Sequence, residues 1–211
     1  ITTLAVVLAS GAAHADFVAD FNSVTGINGG VQINGQNQNA GHYNWTYDGA
    51  PEPSGQAAGQ FQSGSFSTFC IELQGAGQNG QYTVTDIRNA PNPTTSNSGP
   101  YDLTDELEVK RVIAAAQGLG WLNFDLSSNG ATNAQLAAVQ AMVWRAVLDD
   151  SIVDISNSNI QDAADDLQDW LNDANNAGIY AKGLRAMVSA TSQDQLFVVP
   201  VPTAAFAGLV T

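Results

Sequence analysis

The sequence predicts an α+β fold: a β-sandwich or barrel made from the N-terminal strands plus the last strand, with a block of about three helices inserted between them. Three observations lead to it. Short segments alternate apolar and polar residues as far as about residue 87. From about Leu103 the apolar spacing lengthens from two residues to the helical 3.6. Strand character then returns in Gln195-Leu196-Phe197-Val198-Val199.

The totals narrow the function. A chain of 211 residues is long enough for one domain with a real core. Lys and Arg number 6 against 20 Asp and Glu, a net charge of -14. Nucleic acid needs a basic footprint and is excluded as a partner, and an anionic membrane surface is equally unsuitable. Charged residues are only 12%, while Gly, Asn, Gln, Ser and Thr abound, an extracellular texture. A single cysteine permits no internal disulfide, and an unpaired cysteine in a secreted chain needs an explanation.

Residues 1–15 read as the apolar core of a secretory signal peptide, without its basic start, ending in the small-x-small site Ala13-His14-Ala15. The mature chain is expected to begin near Asp16, and His14 goes with the signal. Phe17–Phe21, Val31–Ile33 and Tyr43–Tyr47 read as strands, with turns at Asn28-Gly29-Gly30 and Asn34-Gly35. Residues 48–59, with two prolines and three glycines, read as a loop. Asn44-Trp45-Thr46 matches a glycosylation sequon. His42 reads as a strand-edge residue, since no second His or Cys lies at metal spacing; no metal and no cofactor are expected.

Ser65–Leu73 has the clearest strand pattern. Alternation puts Phe69, Ile71 and Leu73 on one face and Phe66, Thr68, Cys70 and Glu72 on the other. Gln81–Ile87 is expected as its hairpin partner, and 90–100 as a Pro/Ser/Thr/Asn connector. The helical block, about 103–189, opens with Thr104 as a cap and a stripe of Val109, Val112, Ile113 and Ala116. Thr132 with Gln135 three residues on has capping-box spacing for a second helix. A third starts near Asn159, with Ile160, Ala163, Ala164, Leu167, Trp170 and Leu171 inward and a solvated acidic face, Asp162, Asp165, Asp166, Asp169 and Asp173. The helices are expected to cover the sheet face bearing Cys70.

One residue breaks the second helix's apolar stripe of Leu136, Val139, Val143, Trp144 and Val147. Gln140 sits inside it. A buried amide without partners costs about 1–3 kcal/mol, so Gln140 needs either a hydrogen-bonding strand or loop or a chemical task. A lone cysteine has the same two readings, a small buried hydrophobe or a reactive thiol.

Taken together, Phe69-Cys70-Ile71-Glu72 and Gln140-Ala141-Met142-Val143-Trp144 resemble the Cys motif and the Gln-x-x-Ile/Val-Trp motif of the thioester domains of bacterial surface adhesins. The resemblance covers roughly Thr68 to Val147, with Met142 where a smaller residue is common. It implies a thioester-like domain over 16–199 in which Cys70, on a strand, and Gln140, on a helix, join as an internal thioester. Phe66, Phe69 and Trp144 would shield it from water. The partner would be an amine-bearing protein or surface ligand, captured once through an isopeptide bond, so the protein would not be an enzyme. Glu72, about 7 Å along the strand from Cys70, is a weak candidate for proton transfer.

The tail resembles an exosortase sorting signal, with Val199-Pro200-Val201-Pro202 ahead of an apolar stretch within 200–211. That resemblance implies transient membrane anchoring and delivery to the cell surface or matrix of a Gram-negative-type bacterium. Two other classes compete. One is a structural matrix or surface protein with Cys70 buried and unreactive. The other is a carbohydrate-binding module stacking sugars on Tyr43, Trp45 and Tyr47. A hydrolase is disfavoured, because with His14 removed only His42 remains to build a triad.

Overall fold

A computed structural model of the chain describes residues 16–48, 64–73, 79–90, 101–148 and 152–198. The expected signal segment, all but the first residue of the 48–59 loop and of the 90–100 connector, and the 200–211 tail lie outside the described residues. The fold is α+β. Its strands are β1 (Asp16–Ile33), β2 (Gln36–Tyr47), β3 (Ser65–Cys70), β4 (Gly80–Thr85), β5 (Val153–Ile155), β6 (Leu184–Val188) and β7 (Gln195–Val198). Its helices are α1 (Leu103–Gly118), α2 (Asn133–Val147) and α3 (Ser158–Asn172).

All strand pairings are antiparallel, in the order β2-β3-β7-β6-β4-β1-β5, and β1 also pairs with β2. That last pairing closes six strands into a barrel, because the same β1 residue Ala19 faces Tyr47 of β2 and Gly80 of β4. Closure removes the free sheet edges that an open sheet would expose. β5 adds to the far end of β1, with Val31 opposite Ile155.

Inside the barrel the strands contribute Phe17, Tyr43, Trp45, Tyr82, Met187 and Phe197, all buried. Trp45 meets Tyr82 edge-on at 5.5 Å between ring centres, and Phe17 meets Phe197 at 5.9 Å. Aromatic rings at such spacings bury large areas and lock a small barrel without a second sheet. The three helices lie on the outer face, where Phe69, Ile71, Val31, Ile33 and Leu196 join Val109, Ile113, Leu136, Val143 and Leu167 in the larger core. α2 is the central helix and is buried almost all round.

Several sequence expectations are corrected in detail. β1 is one continuous strand: Gly29 and Gly30, at φ 77 and 86, make a bulge in its register with β2 rather than a turn. Asn34 and Gly35, both at positive φ, make the expected tight hairpin. β4 does not pair with β3. It lies between β1 and β6. The 103–189 block contains strands β5 and β6 as well as helices. The cap of α1 is Asp102, whose carboxylate accepts from the Thr104 and Asp105 amides, while α2 has the anticipated Thr132–Gln135 capping box. Finally, the helices cover the face bearing Phe69 and Ile71, and the Cys70 side chain belongs to the barrel interior on the opposite face.

Candidate functional site

Cys70 is the last residue of β3, where the sheet comes apart on one side. β3 pairs with β2 from Ser65–Thr46 as far as Thr68–Tyr43 and no further. On its other side Cys70 lies opposite Gln195 of β7, and the next amide, Ile71 N–H, donates to the Asp194 carbonyl at 3.1 Å. Successive strand residues point their backbone groups to alternate sides, so the N–H and C=O of Cys70 point away from β7, into the gap beside β2. A buried backbone pair left there would be costly.

Gln140 fills the gap. The Cys70 amide donates to Gln140 Oε1 at 2.8 Å, and Gln140 Nε2 donates to the Cys70 carbonyl at 2.8 Å. The side-chain carboxamide thus closes the ring of bonds that a neighbouring strand residue would have closed. Gln140 is wholly buried, as is Cys70. The helical period that placed Gln140 on the dry stripe is what aims it at β3, since α2 packs over β2 and β1 at this seam.

The Cys70 thiol turns along the chain. It donates to the Glu72 carbonyl and accepts from the Glu72 amide at 3.3 Å. Burial pushes its pKa well above the ordinary thiol value, and the nearby Glu72 and Asp194 charges add to this. The Glu72 backbone contact and the nearby Trp144 indole N–H, a buried donor without a hydrogen-bond partner, act in the opposite sense without prevailing. At neutral pH the sulfur is a thiol, and any attack by it needs a base.

The other sequence candidates are not all at the sulfur. Trp144, one turn along α2 from Gln140 and 1% exposed, lies against it. Phe69 is on the opposite pleat, its ring 5.2 Å from that of His42. Phe66 sits four positions back along β3, about 13 Å away, paired with Trp45. Shielding of the sulfur falls to Trp144 and to Tyr43 and Tyr82, phenols close enough that a Cys70 thiolate would raise both. Glu72 contacts the sulfur through its backbone, and its carboxylate turns the other way to accept from the Asp194 amide at 3.1 Å.

Sequence reasoning missed a set of buried polar residues here. Gln195, wholly buried and opposite Cys70, carries a second carboxamide; its Oε1 accepts from Thr68 Oγ1 at 3.0 Å, and Thr68 accepts from the Trp45 indole at 2.8 Å. Asp194 is 1% exposed; its Oδ1 accepts from the Ser189 amide at 2.9 Å, and Oδ2 has no partner. Tyr101 donates its hydroxyl to the Ile71 carbonyl. The polar run Ser192-Gln193-Asp194-Gln195 gave the one signal, four in a row leading into a strand. His42 is also corrected: it is buried, with Nε2 2.6 Å from the Leu126 carbonyl, and its pKa is lowered chiefly by burial.

Of the three rings of the sugar-stacking alternative, Trp45 is fully buried inside the barrel and Tyr43 is 6% exposed, so neither can take a sugar face, and Tyr47 is half-buried. Among the described residues no group of three or more His, Cys, Asp or Glu is placed to hold a metal ion, and no helix is long and apolar enough to cross a membrane. No protein-family model, curated protein or solved structure matches this chain.

Proposed function

We propose that Cys70 and Gln140 form an internal thioester and that the protein is a secreted surface adhesin reacting once with an amine on its partner. The observation that supports this reading is the reciprocal pair of 2.8 Å hydrogen bonds, which fixes the Gln140 carboxamide on the backbone of the cysteine residue in a wholly buried site. A thiol does not displace ammonia from an amide in water. Fixing the two groups side by side turns the step into an intramolecular one, worth several orders of magnitude in effective concentration. The sulfur adds to the Gln140 carbonyl carbon, ammonia leaves, and the excluded water cannot hydrolyse the product. A lysine amine of the partner then attacks the same carbon, the C–S bond breaks, and an isopeptide bond remains. Delivery to the outer surface rests on the signal-like and sorting-like segments.

The same two hydrogen bonds favour a second reading, in which Gln140 is a structural peg completing β3 and Cys70 is inert. Intact mass spectrometry separates them. The thioester reading expects a mass one ammonia below that of the sequence, rising by one whole methylamine on treatment with that amine. Cys70→Ala and Gln140→Ala should each abolish the deficit, and Gln195→Ala should leave it. Full sequence mass in fresh protein, with no methylamine uptake, establishes the peg.

A further inference from the structure

The helical layer has an outer side that the Cys70 site does not use. α2 makes the layer's contacts with β1 and β2, while α1 and α3 pack on α2 and on each other. Arg111 of α1 ties the two together, donating from Nη2 to the Leu171 carbonyl at 2.6 Å. The exposed faces of α1 and α3 therefore lie side by side.

The face of α1 carries apolar residues where an outer helix face is ordinarily polar. Leu103 and Leu107 are one turn apart on the same stripe as Lys110. The segment after α3 runs alongside, its Ala181 amide donating to the Lys110 carbonyl at 3.0 Å. That contact brings Ile179 and Tyr180 to the stripe, and all four side chains are 36 to 51% exposed. Apolar residues scattered singly over a surface carry no meaning, but a contiguous group marks a contact.

Cations surround this group. Of the chain's six Lys and Arg, four are here: Arg88, Lys110, Lys182 and Arg185. Lys110 Nζ is 2.5 Å from Glu106, and Arg88 reaches Glu106 at 3.8 Å and Asp86 at 3.4 Å. Arg185 also pairs with Asp86, and Lys182 follows Ala181. Even with Glu108 at its border, the patch is locally positive in a chain of net charge -14. α3 is the reverse. Asp162, Asp165, Asp166, Asp169 and Asp173 are exposed along it, and none is in an ion pair among the described residues.

We propose that the α1 face docks the acidic α3 face of a second copy of this chain. Because the two faces adjoin, one two-fold axis sets α1 of each copy on α3 of the other and makes the contact twice. Leu103, Leu107 and Tyr180 give it an apolar centre, and the Arg and Lys side chains meet aspartates that lack a cation in their own copy. Charge complementarity selects this occupant, since the overall negative charge drives two copies apart in any other arrangement. Nothing in this pairing involves the thioester.

Sedimentation equilibrium of the full chain tests it. Wild type should pass from monomer to dimer between micromolar and about 1 mM protein at low salt. The dimer should dissociate in about 0.5 M salt, which screens exposed charges within a few ångströms. Lys182→Glu with Arg185→Glu reverses the patch, and Asp166→Lys with Asp169→Lys reverses the α3 face. Each double variant should dimerise at least tenfold more weakly, and an equimolar mixture of the two should associate again, a rescue that damaged folds could not give. Tyr180→Ser, which leaves every charge in place, should weaken the dimer as well, whereas Cys70→Ala should dimerise like wild type. A wild type that stays monomeric over the whole range overturns the proposal, as does a mixture that fails to associate while both variants keep the wild-type circular dichroism. Salt-sensitive binding of dextran sulfate by a protein that remains monomeric also overturns it, and gives the patch to an acidic polymer instead.

Discussion

At the scale of single residues, Gln140 has two separable consequences. Its carboxamide satisfies both backbone groups of Cys70 at a wholly buried position, on the side where β3 has no neighbouring strand. Gln140→Ala orphans that N–H and C=O together, and each buried unpaired group costs about 1–3 kcal/mol. Urea unfolding should show a loss on the order of 3 kcal/mol, even in protein whose mass shows no thioester. Asp194 makes a prediction of a different kind. Its pKa is about 7 folded, raised chiefly by burial, against 3.8 for the free side chain. Between those values the native state holds a proton that the unfolded chain has released, so stability falls as pH rises through this window and stays lowered above it. Asp194→Asn does not titrate. Its urea midpoint should gain on wild type as pH is raised from 4 to 8, and a constant gap between the two would show that the carboxyl is not buried as described.

The element that aims the site is α2, and its fixing points were readable because they are local. Thr132 and Gln135 exchange hydrogen bonds at 3.2 and 2.8 Å, so capping needed only three residues of sequence to recognise. Thr132→Ala should cost about 1 kcal/mol in urea unfolding and leave any ammonia deficit in place, because the far end of the helix stays packed. The period of β3 was equally legible, and so was the opposed direction of Cys70 and Phe69. What alternation could not supply was the neighbour of each strand. β4 joins β1 and β6 across long stretches of chain, and β6 hid in Leu-Arg-Ala-Met-Val, a five-residue run with no strict alternation. The burial of the turn carrying Asp194 was hidden for the same reason: it arises from contacts between β3, β4 and β7, far apart in sequence. Shielding residues chosen by nearness in sequence fared unevenly, because Phe66 and Phe69 lie along or through the sheet from the sulfur while Trp144 arrives from a helix.

For the molecule as a whole, the pairing of Cys70 with Gln140 joins the closed barrel to the helical layer on its outer face. Those residues are separated by 70 positions. A covalent bond between them would therefore constrain the unfolded chain as a disulfide over the same loop does, a stabilisation of about 4 kcal/mol in the chain-entropy account. Forming it removes Nε2, and with it the hydrogen bond to the Cys70 carbonyl, while the Gln140 carbonyl stays against β3. Opening the thioester with methylamine should then lower stability by about that amount while leaving far-UV circular dichroism unchanged. The treated protein should match Cys70→Ala more closely than untreated wild type in urea midpoint. Equal midpoints before and after treatment, in protein that has taken up the amine, would mean that the bond closes a loop the unfolded chain already keeps compact.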